Sequence, residues 1–162
     1  MTRTGKATAV VTLGIALIVA GRRLPAQIGG ENALGRQIEG TWLLQATLRQ
    51  CDTGAEIPNS TFPALHTFLS GGAMISNPAT SGLSTGHGVW THTGGDTFKN
   101  TIRLFAFTPG GALAGIATVA RDIVLSPDGG SLTSDDVSEF RDPAGNLIGS
   151  RCAAVTGTRL TE

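Results

Sequence analysis

From about Gly40 onward, apolar and polar residues alternate in short runs, and clusters rich in glycine and proline separate the runs. Alternation with period two is the mark of a half-buried strand. The separators are Ser70-Gly71-Gly72, Thr93-Gly94-Gly95-Asp96, Thr108-Pro109-Gly110-Gly111, Pro127-Asp128-Gly129-Gly130 and Asp142-Pro143-Ala144-Gly145-Asn146. Each supplies residues that tolerate positive φ, or a proline with φ preset, where a hairpin must turn. The pattern predicts eight strands, over about 40–50, 63–70, 73–77, 86–93, 97–108, 112–126, 131–142 and 147–158. Asp52–Phe62, which contains Pro58, reads as a long first loop. No stretch carries the spacing of a long amphipathic helix. The expected fold is all-β, an eight-stranded antiparallel up-and-down β-barrel. The interior of such a barrel is either filled by side chains or holds one small ligand.

Turn length sets strand register. A two-residue turn at Gly94-Gly95 places Thr91 opposite Phe98, and one at Pro109-Gly110 places Leu104 opposite Gly115. A bulged loop at Ser126–Gly129 brings Leu125 to Leu132 and Arg121 to Asp136. A three-residue loop at Pro143–Gly145 brings Phe140 to Ile148 and Ser138 to Ser150. One face then collects Val89, Phe98, Ile102, Leu104, Ala117, Val119, Ile123, Leu125, Leu132, Phe140 and Ile148, and is read as the interior. The other collects Lys99, Arg103, Asp122, Asp135, Glu139, Arg141 and Arg151. Trp90, Phe105 and Phe107 fall on that outer face, with Trp90 across from Lys99.

The interior face also carries His87, Asn100, Arg121, Ser134, Asp136, Ser138 and Ser150. Buried polar groups cost free energy unless they are paired, and a buried Arg–Asp pair is seldom kept for stability alone. Arg121 and Asp136 lie either inside, as polar anchors of a pocket, or at the rim in solvent; register across residues 126–131 leaves both open.

Composition changes this picture at the N-terminus. Met1–Ala26 reads as a secretory signal peptide: Arg3 and Lys6, then the uncharged run Ala7–Ala20, then Leu24-Pro25-Ala26 before a cut at Gln27. Arg22-Arg23 departs from that pattern, and an uncleaved anchor is the alternative, although the apolar run is shorter than the roughly 20 residues of a spanning helix. Gln27–Gln37 reads as a flexible leader, and residues 38–162 as one barrel domain. The whole chain has 12 basic and 12 acidic residues; loss of Arg3, Lys6, Arg22 and Arg23 leaves 8 against 12. That mild acidity argues against nucleic acid as a partner, and no membrane contact is expected after cleavage. A secreted or periplasmic location makes one disulfide between Cys51 and Cys152, the only two cysteines, the default over two buried thiols.

Gly40-Thr41-Trp42 opens the first strand and resembles the Gly-x-Trp motif of lipocalins and related calycin barrels. The resemblance implies that Trp42 closes one end of the barrel and packs against a basic residue near the end of the last strand, where Arg159 stands. Trp42 with Arg159, and Cys51 with Cys152, then agree on the register between first and last strands within two residues. A bulge near Gly157 or in the first strand is needed to put both cysteines on one face. The lipocalin middle-loop signature is absent. Dirigent and allene oxide cyclase barrels suit the layout nearly as well, at fold level only.

Two catalytic motifs are missing: there is no His-Glu-x-x-His and no phosphate loop. His87 and His92 have odd spacing on one strand and face opposite sides, so neither they nor His66 match a common metal site, and no metal or cofactor is expected. Asp135 and Asp136 are adjacent on a strand and cannot form a dyad. Three functions stay open. The first is a carrier for a small apolar or amphiphilic molecule, with Asn100, Arg121, Asp136, Ser138, Phe98, Ile102, Leu104 and Phe140 around it, and room left by Gly115, Ala117 and Ala154. The second is a cofactor-free cyclase or isomerase using Asp136, Arg121 or His87. The third is a filled barrel acting through surface contacts such as Trp90. A homodimer is left open.

Overall fold

The computed structural model describes residues 35–161. The expected signal peptide lies outside them. Of the Gln27–Gln37 leader, the described residues Gly35, Arg36 and Gln37 enter a turn that leads into the first strand. Eight antiparallel strands follow: β1 Gly40–Arg49, β2 Glu56–Phe68, β3 Ala73–Pro78, β4 Gly86–Gly94, β5 Thr97–Phe107, β6 Leu113–Leu125, β7 Ser131–Arg141 and β8 Leu147–Arg159. Each pairs with its neighbour in sequence, and β8 pairs with β1 to close the barrel. Among the described residues, no helix is long and apolar enough to cross a membrane.

The strand order gives the barrel two unlike ends. The start of β1, the end of β8 and the β2–β3, β4–β5 and β6–β7 turns share one end. The β1–β2, β3–β4, β5–β6 and β7–β8 connections share the other. Trp42 pairs with Arg159 across β1 and β8, as the resemblance implied, and the register holds to Arg49 opposite Cys152. Cys51 lies just past β1 and joins Cys152 in a disulfide with Cα atoms 5.1 Å apart. The link closes a loop spanning 101 residues. In the chain-entropy account such a loop is worth up to ~4–5 kcal/mol.

Register across β6 and β7 is as expected: Leu125 faces Leu132 and Arg121 faces Asp136. Elsewhere bulges move it. In the β5–β6 hairpin Leu104 faces Ala117 rather than Gly115, a shift of two that leaves the interior face unchanged. Two other hairpins slip by one residue, and with period two a slip of one turns a strand inside out. A bulge between His92 and Gly94 puts His92, not Thr91, opposite Phe98. Trp90 therefore points inward and pairs with Asn100, while Val89 is 65% exposed and His87 is also outside. Lys99 meets Asp122 at 2.7 Å instead of Trp90. A second bulge between Phe140 and Arg141 puts Gly149 opposite Phe140. It sends Ile148 and Ser150 outside and turns Arg151 and Ala153, rather than Ala154, toward the interior. The same slip carries Cys152 to the outer face, so the bulge that reconciles the cysteines lies in the β7–β8 hairpin, not near Gly157 or in β1.

The expected loop at Asp52–Phe62 is mostly strand. β2 starts at Glu56, and the pairing jumps from Thr47–Thr61 to Arg49–Glu56. The extra residues include Pro58 and Asn59, which has φ of 56°. Ser60 ties this bulge down, accepting from the Leu48 amide at 3.1 Å and donating to the Ile57 carbonyl at 2.6 Å. A bulge tolerates the missing proline N–H that a continuous ladder would not.

Candidate functional site: an apolar cup on a polar floor

The interior stacks in three layers. At the β1 end, Trp42, Phe68, Met74, Phe98, Leu125 and Leu132 are all buried. Trp42 donates from Nε1 to the Ile38 carbonyl at 2.9 Å. The Arg159 guanidinium lies 4.3 Å from the indole centroid. It also donates to carbonyls of Gly129 at 3.0 Å, Glu39 at 2.5 Å and Gln37. A flat cation that covers the ring and gathers free carbonyls seals that end. Gly40 makes the arrangement fit: its φ is 122°, and a Cβ there would lie 2.9 Å from Arg159 Nη1. Trp90 joins the plug, with ring centroids 6.0 Å from Phe98 and 6.3 Å from Phe68.

Above this plug lies a polar layer. Arg121 Nε is 2.5 Å from Asp136 Oδ2, and the pair is almost wholly buried. Ser134 donates to the other carboxylate oxygen at 2.7 Å. Arg121 Nη1 approaches His66 at 2.8 Å from Nδ1 and 3.1 Å from Nε2. His66 Nε2 is 2.9 Å from Ser76 Oγ. Burial, then the Arg121 charge, lowers the His66 pKa from 6.5 to about 2, so the ring is neutral. Burial pushes the Asp136 carboxyl up and Arg121 down, while each holds the other's charge. Asn100 is 4% exposed, and neither end of its amide has a partner among the described residues.

Ser76 beside His66 has the spacing of a nucleophile and its base, but the polarity is reversed. A guanidinium only donates, and Nδ1 is the ring nitrogen nearer to Arg121 Nη1, so the lone pair is assigned to Nδ1 and the proton to Nε2. That proton points at Ser76, and the imidazole has no lone pair left to activate the hydroxyl. Acid–base chemistry by this pair is disfavoured on the same ground.

The third layer is a cup of about 390 Å³ open at the far end. His66, Ser76, Arg121 and Asp136 form its floor, and Ala46, Ala64, Ile102, Leu104, Ala117 and Ala153 line its walls. Phe62, Leu83, Phe107, Phe140 and Arg151 reach its upper part. The volume falls within the roughly 300–1,000 Å³ of small-molecule sites.

Of the residues expected around a ligand, Arg121, Asp136, Ser138, Ile102, Leu104 and Phe140 line the cup. Phe98 and Asn100 point inward but do not line it, being in the plug and the polar layer. His87 is on the outer face and touches none of this. Arg121 and Asp136 lie inside, not at the rim. His66 and Ser76 are the residues sequence reasoning missed. The signal was parity: Ala64, His66 and Phe68 alternate on β2 and share the face of Trp42, since His66 pairs with Trp42 directly. Among the described residues no three histidine, cysteine or acidic side chains gather as metal ligands. Comparison with known protein families and with curated proteins finds no match for this chain.

Proposed function

We propose that this chain is an exported small barrel that binds an apolar or amphiphilic molecule in its cup. The observation that carries the reading is the cavity: about 390 Å³, alanine-rich on its walls, open at one end and plugged at the other. Alanines at four wall positions leave volume that larger apolar residues would fill. The disulfide supports the secreted or periplasmic location. The Trp42–Arg159 stack supports the likeness to calycin barrels, which is part of the same proposal.

Turnover as a cyclase or isomerase is the weaker reading. His87 is outside the cup, His66 faces Arg121 with its lone pair, and Asp136 is tied to Arg121 and Ser134. A purely surface role loses its main residue, because Trp90 packs inward.

Native mass spectrometry of the protein from its source tests the reading. A small molecule retained by the folded chain, released on denaturation and lost in Ala117→Trp is the expected result. Equal retention by Ala117→Trp, with the barrel still folded, would place the molecule elsewhere and overturn the cup.

A further inference from the structure

The floor of the cup holds a hydrogen-bond donor that the protein does not use. Arg121 Nη1 is nearer to Nδ1 of His66, at 2.8 Å, than to Nε2, at 3.1 Å; with Nδ1 as the acceptor, Nε2–H donates to Ser76 Oγ. Ser76 receives that bond and keeps its own proton. Among the described residues, His66 is its sole bonded partner. Ser76 is 3% exposed and lines the cavity, so the proton is withheld from bulk water but open to the cup. A buried donor left unmet costs about 1–3 kcal/mol. Two further hydroxyls line the same space. Thr80 Oγ1 is buried without a partner among the described residues, and Ser138 stands beside Phe140 on the wall. The floor is also electrically closed, since the Arg121 charge is already met by Asp136.

Resting on the binding reading above, we propose that the ligand carries an uncharged carbonyl, which enters first and accepts the Ser76 hydroxyl proton. Its apolar body lies along Ile102, Leu104, Ala117 and Phe140. A carbonyl oxygen completes the floor without adding charge. A carboxylate at the floor brings a third charge into a layer that holds one of each sign, and the other cation lining the cup, Arg151, stands in its upper part rather than beside Ser76.

Three ligands of equal carbon count separate these terms: octane, methyl hexyl ketone and octanoate, titrated calorimetrically into the disulfide-bonded protein at neutral pH. The ketone is expected to bind about tenfold tighter than octane, and octanoate weaker than the ketone by at least as much. Ser76→Ala is expected to bring the ketone to within about threefold of octane. Octane equal to the ketone, or octanoate tightest, overturns the carbonyl and leaves the cup intact. Failure of all three to bind removes the cup as well. Nitrogen NMR of the His66 ring needs no variant: a proton on Nε2 is expected, and one on Nδ1 would mean that Ser76 spends its proton on His66, which ends the proposal.

Discussion

The two ends of this barrel are made by the same eight strands and have opposite contents. At the β1 end, two tryptophans and two phenylalanines converge, and Arg159 caps them. At the other end the wall positions Ala46, Ala64, Ala117 and Ala153 are small, and a space of about 390 Å³ remains. Strand number sets the width of a barrel, so the choice between plug and cup falls to side-chain volume. The ion pair of Arg121 and Asp136 marks the boundary. A layer that cannot collapse onto itself without stranding a charge keeps the cup from closing down on its floor.

The largest expected effect comes from breaking the plug. Trp42→Ala removes a fully buried indole and leaves Arg159 without its platform. The cost is expected to be about 4 kcal/mol in urea unfolding, a large share of the ~5–15 kcal/mol that holds a domain together. Leu104→Ala, on the wall of the cup, is expected to cost nearer 2 kcal/mol, because part of that side chain already faces empty space. Equal losses at the two positions would show that the cup is as tightly packed as the plug, and the contrast would fail.

The sequence carried this contrast only in part, and the reason is local. Strand existence followed from alternation and turn residues. The pairings of Arg121 with Asp136 and of Trp42 with Arg159 followed too. Bulges are where inference stopped, because one extra residue leaves the alternation within a strand intact and inverts its meaning. Thus β4 and β8 read inside out, His87 and Ile148 entered the interior on paper, and Trp90 left it. The plug lost an aromatic and the cup gained a histidine that it does not have. His66 lay within the expected second strand, but turn lengths fixed register only from β4 onward, so no inward face was assigned to β2. What survived intact lay on β5, β6 and β7, whose inward faces do not depend on those bulges.

A second test probes the polar boundary through pH. The folded His66 pKa is lowered from 6.5 to about 2, so the unfolded chain binds the proton more readily. Stability is therefore full above about pH 6.5 and falls as pH drops below it, by up to ~1.4 kcal/mol per unit. Between pH 6.5 and pH 5 the loss is expected to reach about 2 kcal/mol. Asp136 works in the opposite direction, since its raised pKa favours the folded state as acid is added, but only once its own carboxyl begins to take up the proton. Urea midpoints across this range, for the native chain and for His66→Gln, isolate the imidazole. A slope that persists in His66→Gln would assign the acid sensitivity to another group.

The smallest expected effect concerns Asn100, and it sharpens the boundary rather than breaking it. Asn100 sits opposite both Trp90 and Arg121, between plug and floor, and its buried amide has no partner among the described residues. Leucine has nearly the same shape and no polar atoms. If the amide is unmet in the folded state, Asn100→Leu recovers its desolvation cost and raises stability by about 1 kcal/mol, measured by the same urea midpoints. The plug then extends up to Arg121, and ligand binding in the cup, which Asn100 does not line, stays unchanged. A loss of stability of similar size would mean that the amide is bonded in solution, and the polar layer would then be one residue deeper than the protein's own contacts describe. Either sign fixes where the apolar plug ends, which is the quantity that divides this barrel into a sealed half and an open one.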